Sequence, residues 1–385
     1  MDTLKTHFSR SIRRDGAPLH FAAHSHHPWP DVTLAAQQQC WLDAAELLDR
    51  KWEKVFGEVI PAAQRHVARQ LVLPDPATIV FAPNTHEVVK RLLSCLDARS
   101  TPRILTTDSE FHSFTRQIAR LEEDGLVEVV RVPTEPFASF AQRFIAELHE
   151  GRFDLAFLSH VFFNSGWVVD EIADIVAAVR HDETLVAVDG YHAFMALPVD
   201  LGALAHRIFY IAGGYKYAMA GEGACFMHCP PGYGPRPRDT GWYAEFGALG
   251  AHRPDETAYG ADGSRFAGST FDPSGIYRFN AVQGWLESVG AAGETTAHRA
   301  YCAASQQTLV ENLPPSLTTA LMISEAGRRG RFLTFRTNDA QSLEQGLTAA
   351  GIIVDRRGDR LRIGFGVYQD AADVARLTNA LNAIA

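Results

Sequence analysis

Cysteine is scarce in this chain. Five are spread over 385 residues, at positions 40, 95, 225, 229 and 302, and none forms a Cys-x-x-Cys pair. That excludes a disulfide-stapled scaffold and points to free thiols in a reducing cytoplasm. Positive charge is also in deficit: 36 Lys and Arg stand against 45 Asp and Glu, a formal net charge of -9. Nucleic acid and anionic membranes both select a basic surface, so neither is expected as the main partner. No apolar run approaches the roughly 20 residues that span a bilayer. Residues 1–14 mix basic and polar side chains without an apolar stretch, so no secretory signal is read there. Internal repeats and low-complexity tracts are missing as well.

What is present is an ordinary globular composition, 46% hydrophobic and 21% charged. The length allows about two or three domain-sized units. Residues 78–82, 103–106 and 155–159 read as strands, each followed by a helical pattern. Within 170–181, Ile172, Ile175, Val176 and Val179 fall on one helical face. Residues 184–188 then form a β-rich run ending at Asp189, and 207–212 form another ending before Gly213 and Lys216. This alternation predicts a mostly parallel sheet covered by helices. In such sheets ligands collect at the carboxyl ends of strands, so Asp189 and Lys216 can reach one crevice. Residues 230–274 are rich in Gly, Pro and charge with no clear period, which predicts a long irregular excursion of functional or interface character. Beyond 280, strands at 331–336 and 361–366 and helices at 339–350 and 370–385 predict a small α/β unit. The expected boundaries are 1–280 for a large domain with an N-terminal active-site segment, and 281–385 for a small C-terminal domain.

Lys216 sits in Gly-Gly-Tyr-Lys-Tyr, with Ala-Gly-Glu-Gly close behind, leaving room for a bulky group near the backbone. A lysine buried in a pocket loses its proton and becomes a nucleophile, whereas the plain alternative is a solvated surface lysine. Asp189 alone would read as a helix cap. Paired with Lys216, it reads as the carboxylate that holds a protonated pyridine nitrogen and makes a pyridoxal ring an electron sink. Cys225, His228 and Cys229 lie close together, but no second ligand pair follows at zinc-like spacing. They are read as a half-buried strand before the Pro230 turn, and no metal is expected.

Four stretches carry a family resemblance: VDGYHAF (188–194), GGYKYAMAGEG (213–223), GWYAEFGAL (241–249) and GIIVDRRGDRLRIGFGVY (351–368). In order along the chain they resemble fold-type I enzymes of the class V aminotransferase superfamily, and kynureninases in particular. The resemblance implies an α/β fold of the fold-type I transferase kind, with a large mostly parallel sheet domain and a small α/β C-terminal domain. It implies pyridoxal 5′-phosphate (PLP) as cofactor, an amino-acid substrate and a homodimer with shared active sites. Lys216 matches the lysine that carries the cofactor, Asp189 the partner of its ring nitrogen, and Tyr215 the tyrosine at the phosphate; these three are the expected catalytic residues. Asn84 and Thr85 match the phosphate-binding turn, in keeping with the anion affinity of a helix N-terminus. Phe111 matches the aromatic that stacks on the ring, with Ser113 nearby, Asn164 the asparagine near the ring hydroxyl, and His192 the histidine after the aspartate. Trp242, Ser269 and Thr270 look like elements that cross to the partner subunit. Arg362 matches the residue that grips the substrate α-carboxylate, for which its planar fork is suited.

One segment departs from the resemblance. Residues 21–30 read FAAHSHHPWP where kynureninases have a Gly-Asn-Ser-Leu-Gly pattern. His24, His26 and His27 could meet substrate, hold a metal or cap a turn; His24 is carried as a substrate-binding candidate. The expected reaction is hydrolysis of the Cβ–Cγ bond of a kynurenine-type amino acid, giving alanine. The alternative is a class V aminotransferase or lyase. A desulfurase is disfavoured because 352–361 contains no Cys for a mobile thiol. A PLP-dependent sensor is disfavoured because its fused DNA-binding region has no room before residue 20.

Overall fold

In a computed structural model of the chain, the described residues are 4–12, 16–232, 236–251, 257–290 and 295–384, the side chains of 247–251 excepted. They form the strands β1 (Leu19–His20), β2 (Ile79–Ala82), β3 (Arg103–Thr107), β4 (Glu128–Val132), β5 (Leu155–Ser159), β6 (Leu185–Asp189), β7 (Phe209–Gly213), β8 (Cys225–His228), β9 (Phe332–Arg336), β10 (Ile352–Ile353), β11 (Asp355–Arg357) and β12 (Arg360–Gly364). Seven of these make one sheet in the order β2-β8-β7-β6-β5-β3-β4, in which β8 alone runs against its neighbours.

The central strands β5, β6 and β7 are buried along their whole length. Alternation explains how this is done. In β6, Val186 and Val188 enter one apolar cluster with Phe194 and Tyr210, while Leu185 and Ala187 enter another with Phe157 and Phe209. Successive side chains point to opposite faces, and both faces are apolar because helices cover both. At the outer edge, Glu128 and Arg131 of β4 face solvent, as suits an edge strand.

A second sheet, β11-β12-β9, is antiparallel. Leu343, Leu347, Leu377 and Leu381 of the helices Ala340–Ala349 and Ala371–Ile384 complete its core. The N-terminal segment also lies here: β1 pairs in parallel with β10, and Ala22 bridges Gly364. Residues 19–24 are thereby carried toward the large sheet.

Several elements differ from the sequence expectation. The helix expected at 170–181 is the shorter Ile172–Ala177, and Arg180, His181, Asp182 and Glu183 face solvent after it. The stretch around Cys225 is wholly buried rather than half-buried, since β8 is wedged between β2 and β7. His228 there spends its ring on Thr78 Oγ1 at 2.8 Å and the Ala205 carbonyl at 2.9 Å. The excursion at 230–274 holds two 3-10 helices, Trp242–Ala251 and Gly263–Phe266, while 233–235 and 252–256 lie outside the described residues. The helix Ser274–Ser288 runs continuously through residue 280.

Candidate active site

Five strands deliver side chains to one edge of the large sheet. After β2, Asn84 caps the helix Thr85–Leu93, its Oδ1 accepting from the Glu87 N–H at 3.1 Å. The first amides of that helix have no carbonyl within it to bind, so the turn is suited to an anion. After β3 come Glu110 and Phe111, β5 ends at Ser159, β6 ends at Asp189, and β7 leads through Gly213 to Lys216. Together they bound a cleft of about 340 Å³ that includes Asn84, Thr85, Phe111, Ser113, Ser159, Phe163, Asp189, Tyr191, His192, Tyr215, Lys216 and the turn 221–223. Larger cavities, about 450 and 560 Å³, lie under the excursion and beside the N-terminal segment, and neither holds Lys216 or Asp189.

Glycine sets the shape at two points. A Cβ on Gly213 would stand 2.3 Å from Tyr191 Oη, so only glycine lets β7 pass this ring. Gly221 adopts φ +71°, and a Cβ there would meet Trp29 at 2.2 Å.

Burial dominates the electrostatics. Asp189 is 7% exposed and accepts the Tyr191 N–H at 2.9 Å. Loss of water raises its pKa to about 6, against the opposing pull of Lys216. Lys216 moves the other way, to about 7, chiefly through burial and then through the Arg362 charge. An amine in that range is about half unprotonated at neutrality, and the neutral form attacks an aldehyde. Its Nζ donates to the His24 carbonyl at 2.6 Å and stands 6.0 Å from the Phe111 ring centroid. His192 is buried, held well below its usual pKa by burial, and places Nε2 3.2 Å from the same carbonyl. Tyr215 Oη lies 3.1 Å from His26 Nδ1.

Arg362 is 3% exposed. Its Nη1 donates to the Phe163 carbonyl and its Nη2 to Asp355, which faces it across β11 and β12. Its Nε is buried without a partner among the described residues. Phe163 lines the cleft, so the guanidinium stands immediately behind that wall.

Of the expected residues, Asn84, Thr85, Phe111, Ser113, Asp189, His192, Tyr215 and Lys216 line one cleft. The others lie elsewhere. The His24 ring turns away, stacked on Phe332 at 4.6 Å with Nε2 3.6 Å from Asp355, and only its carbonyl meets Lys216. Gly364 leaves the space for that ring, since a Cβ there would stand 2.1 Å from His24 Nδ1. Asn164 accepts from Ser109 Oγ rather than lining the cleft. Trp242 packs on Tyr243 and Phe246 at 4.6 and 5.3 Å, and Ser269 and Thr270 are exposed. Sequence reasoning missed Glu110, Ser159, Phe163, Tyr191 and Asp355. Ser159 was within reach, because it closes a strand that was recognised.

The cleft's donors fit pyridoxal phosphate: a nucleophilic amine for its aldehyde, a buried carboxylate for its ring nitrogen, an aromatic face and a helix N-terminus. The family model described as aminotransferase class-V matches residues 30–377. A protein of Vibrio cholerae serotype O1 named a probable cysteine desulfurase is 24% identical over 340 residues, covering 83% of this chain and 81% of that protein. Among solved structures, the lyase C-DES with glycine covalently linked to its PLP cofactor superposes with TM-score 0.79 at 19% identity, over 96% of this chain and 97% of that one. The same cystine C–S lyase with its product cysteine persulfide gives 0.77 at 18%, over 94% and 97%. An apo cysteine desulfurase of Thermococcus onnurineus gives 0.81 at 14%, over 100% and 98%.

Proposed function

Because the chain belongs to the aminotransferase class-V family, we propose that it is a lyase that breaks the Cβ–S bond of a sulfur-bearing amino acid. Its cofactor is pyridoxal 5′-phosphate, which when bound supplies an electron sink for charge developing at the substrate α-carbon. Asn84, Thr85 and Tyr215 would hold its phosphate, Phe111 would meet its ring, and Asp189 would keep its ring nitrogen protonated. Lys216 would be the amine that carries the cofactor, and in its neutral form the base that takes the substrate α-proton. Arg362, held behind the Phe163 wall with its Nε unpartnered among the described residues, would supply the charge that binds the α-carboxylate. The Cβ–S bond would break with its electron pair leaving on sulfur, as a thiol or, from cystine, a persulfide, and water would hydrolyse the remaining three-carbon enamine to pyruvate and ammonia.

The observation that carries this reading is the placing of the cysteines. None of the five lines the cleft, and 352–361 contains none. Cys225 stands 4.0 Å from Thr85 Oγ1 but is buried, with its thiol pushed up to about 12. A thiol held protonated does not accept sulfur, which favours elimination over desulfuration through a protein persulfide. The two lyase structures and the desulfurase relative support sulfur chemistry; by their names they lend none to kynurenine hydrolysis. One feature keeps hydrolysis as a second reading. Phe111, His112 and Phe163 meet edge to face or tilted, 5.5 to 5.7 Å apart, and make an aromatic wall suited to an aryl side chain.

Each site is proposed to be completed by a second copy through Trp242, Ser269 and Thr270, all exposed on this chain. The test of function is a substrate panel on the PLP-loaded protein. Pyruvate and ammonia from cystine or an S-substituted cysteine support the lyase. Anthranilate and alanine from kynurenine would replace it with hydrolysis, and a requirement for a 2-oxo acid would replace it with transamination.

A further inference from the structure

Glu110 is the most deeply placed acid of the site, and none of the roles above uses it. It is 2% exposed. Three donors converge on its carboxylate: Thr107 Oγ1 on Oε1 at 2.6 Å, the Ser159 N–H on Oε1 at 3.1 Å, and Ser159 Oγ on Oε2 at 2.6 Å. These come from the carboxyl ends of two neighbouring strands, β3 and β5, so Glu110 clamps them together. Ser159 is the residue paired in register with Asp189 on β6, and both line the cleft. A buried acid is expensive, and a fold that needed only the clamp could use a neutral amide.

We propose that Glu110 is a positioning residue of the cofactor site, a second carboxylate that stands behind Ser159 and reinforces Asp189 in holding the protonated ring nitrogen of PLP. The inference rests on the reading that Asp189 faces that nitrogen. A cation arriving at Asp189 adds favourable charge for both acids, whereas before it arrives the two repel. The surroundings agree. From β3 Glu110 meets the Thr107 hydroxyl, from β5 the Ser159 hydroxyl and amide, and from β6 the Asp189 charge, with Lys216 acting in turn on Asp189. Burial, and then Asp189, raise the Glu110 pKa to about 7, with the three hydrogen bonds opposing. Glu110 is therefore neutral in mild acid and charged in mild base, and its help to the cofactor follows the same course.

The experiment titrates apoprotein with PLP by absorbance and tryptophan fluorescence, at about pH 6 and about pH 8.5. Glu110→Gln keeps the shape and a full set of hydrogen bonds, with Ser159 Oγ turned to accept, and removes only the charge. It should bind PLP about five- to tenfold more weakly than wild type at the higher pH, and within about twofold at the lower, where wild-type Glu110 is protonated. Equal affinity at both values, or the same loss at both, would overturn the proposal, since a packing defect has no reason to titrate. Asp189→Asn separates the underlying reading. If it binds PLP like wild type, Asp189 does not face the ring nitrogen, and the role of Glu110 falls with it. Should Glu110→Gln fail to fold, Asp189→Asn serves alone. Its remaining pH dependence should have a midpoint below 7, because the Asp189 charge that helps raise Glu110 is gone, and a flat profile would contradict the inference.

Discussion

Arg362→Lys isolates the proposed substrate clamp. Arg362 is almost wholly buried, and its two terminal nitrogens are anchored by the Phe163 carbonyl and by Asp355. These anchors fix the plane of the guanidinium, while Nε is left without a partner among the described residues. A lysine keeps the charge but not the plane. Its single nitrogen cannot serve Phe163, Asp355 and a substrate carboxylate together. Truncating one side of a desolvated, hydrogen-bonded charge pair costs about 2–4 kcal/mol, which corresponds to roughly 30- to 1000-fold in kcat/KM. Steady-state kinetics on the best substrate of the panel measures the loss. Repeating them with the matching amine, which lacks the α-carboxylate, locates it: wild type and variant should then differ by less than about threefold. An equal loss on both substrates would show that Arg362 only supports the fold. A loss below about threefold on the amino acid would show that the carboxylate binds elsewhere.

Three further outcomes are expected. Lys216→Ala should still bind PLP, seen by absorbance and equilibrium dialysis, but should turn over no substrate, because both the attacking amine and the proton acceptor are gone. Apoprotein stability should depend on pH through Glu110. Its folded pKa of about 7 lies above the ordinary 4.5, so its contribution is complete below about 4.5 and is lost as pH rises through about 7. That amounts to about 2–3 kcal/mol, and denaturant melts should show Glu110→Gln gaining that much on wild type between about pH 5 and about pH 8.5. Light scattering at micromolar protein should give a dimer, and Trp242→Ala should weaken it; a monomer with full activity would refute the shared-site reading.

Much of the fold was legible because the central strands are apolar on both faces and end in polar residues where the cleft begins. Ser159, Asp189 and Gly213 mark those ends, and the spacing from Asp189 to Lys216 already implied a common crevice. The two-residue strands β1 and β10 were not legible, being too short to show a period. Their pairing nevertheless decides where residue 24 lies. No local pattern says which way a histidine turns, and the His24 ring went to Phe332 while its carbonyl went to Lys216. The burial of β8 was hidden for a similar reason, since its place between β2 and β7 is a matter of tertiary order. Glu110 reads locally as one more acid in Ser-Glu-Phe-His. Its role depends on Thr107 and on Ser159, which lies 49 residues away.

The central claim is that Lys216 carries the cofactor opposite Asp189. It is tested most directly by reducing the PLP-loaded protein with borohydride, digesting it and sequencing the peptides by mass spectrometry. The account predicts one pyridoxyl group per chain, on Lys216, and none on Lys216→Ala treated alike; a label on another lysine, or no label at all, would contradict it.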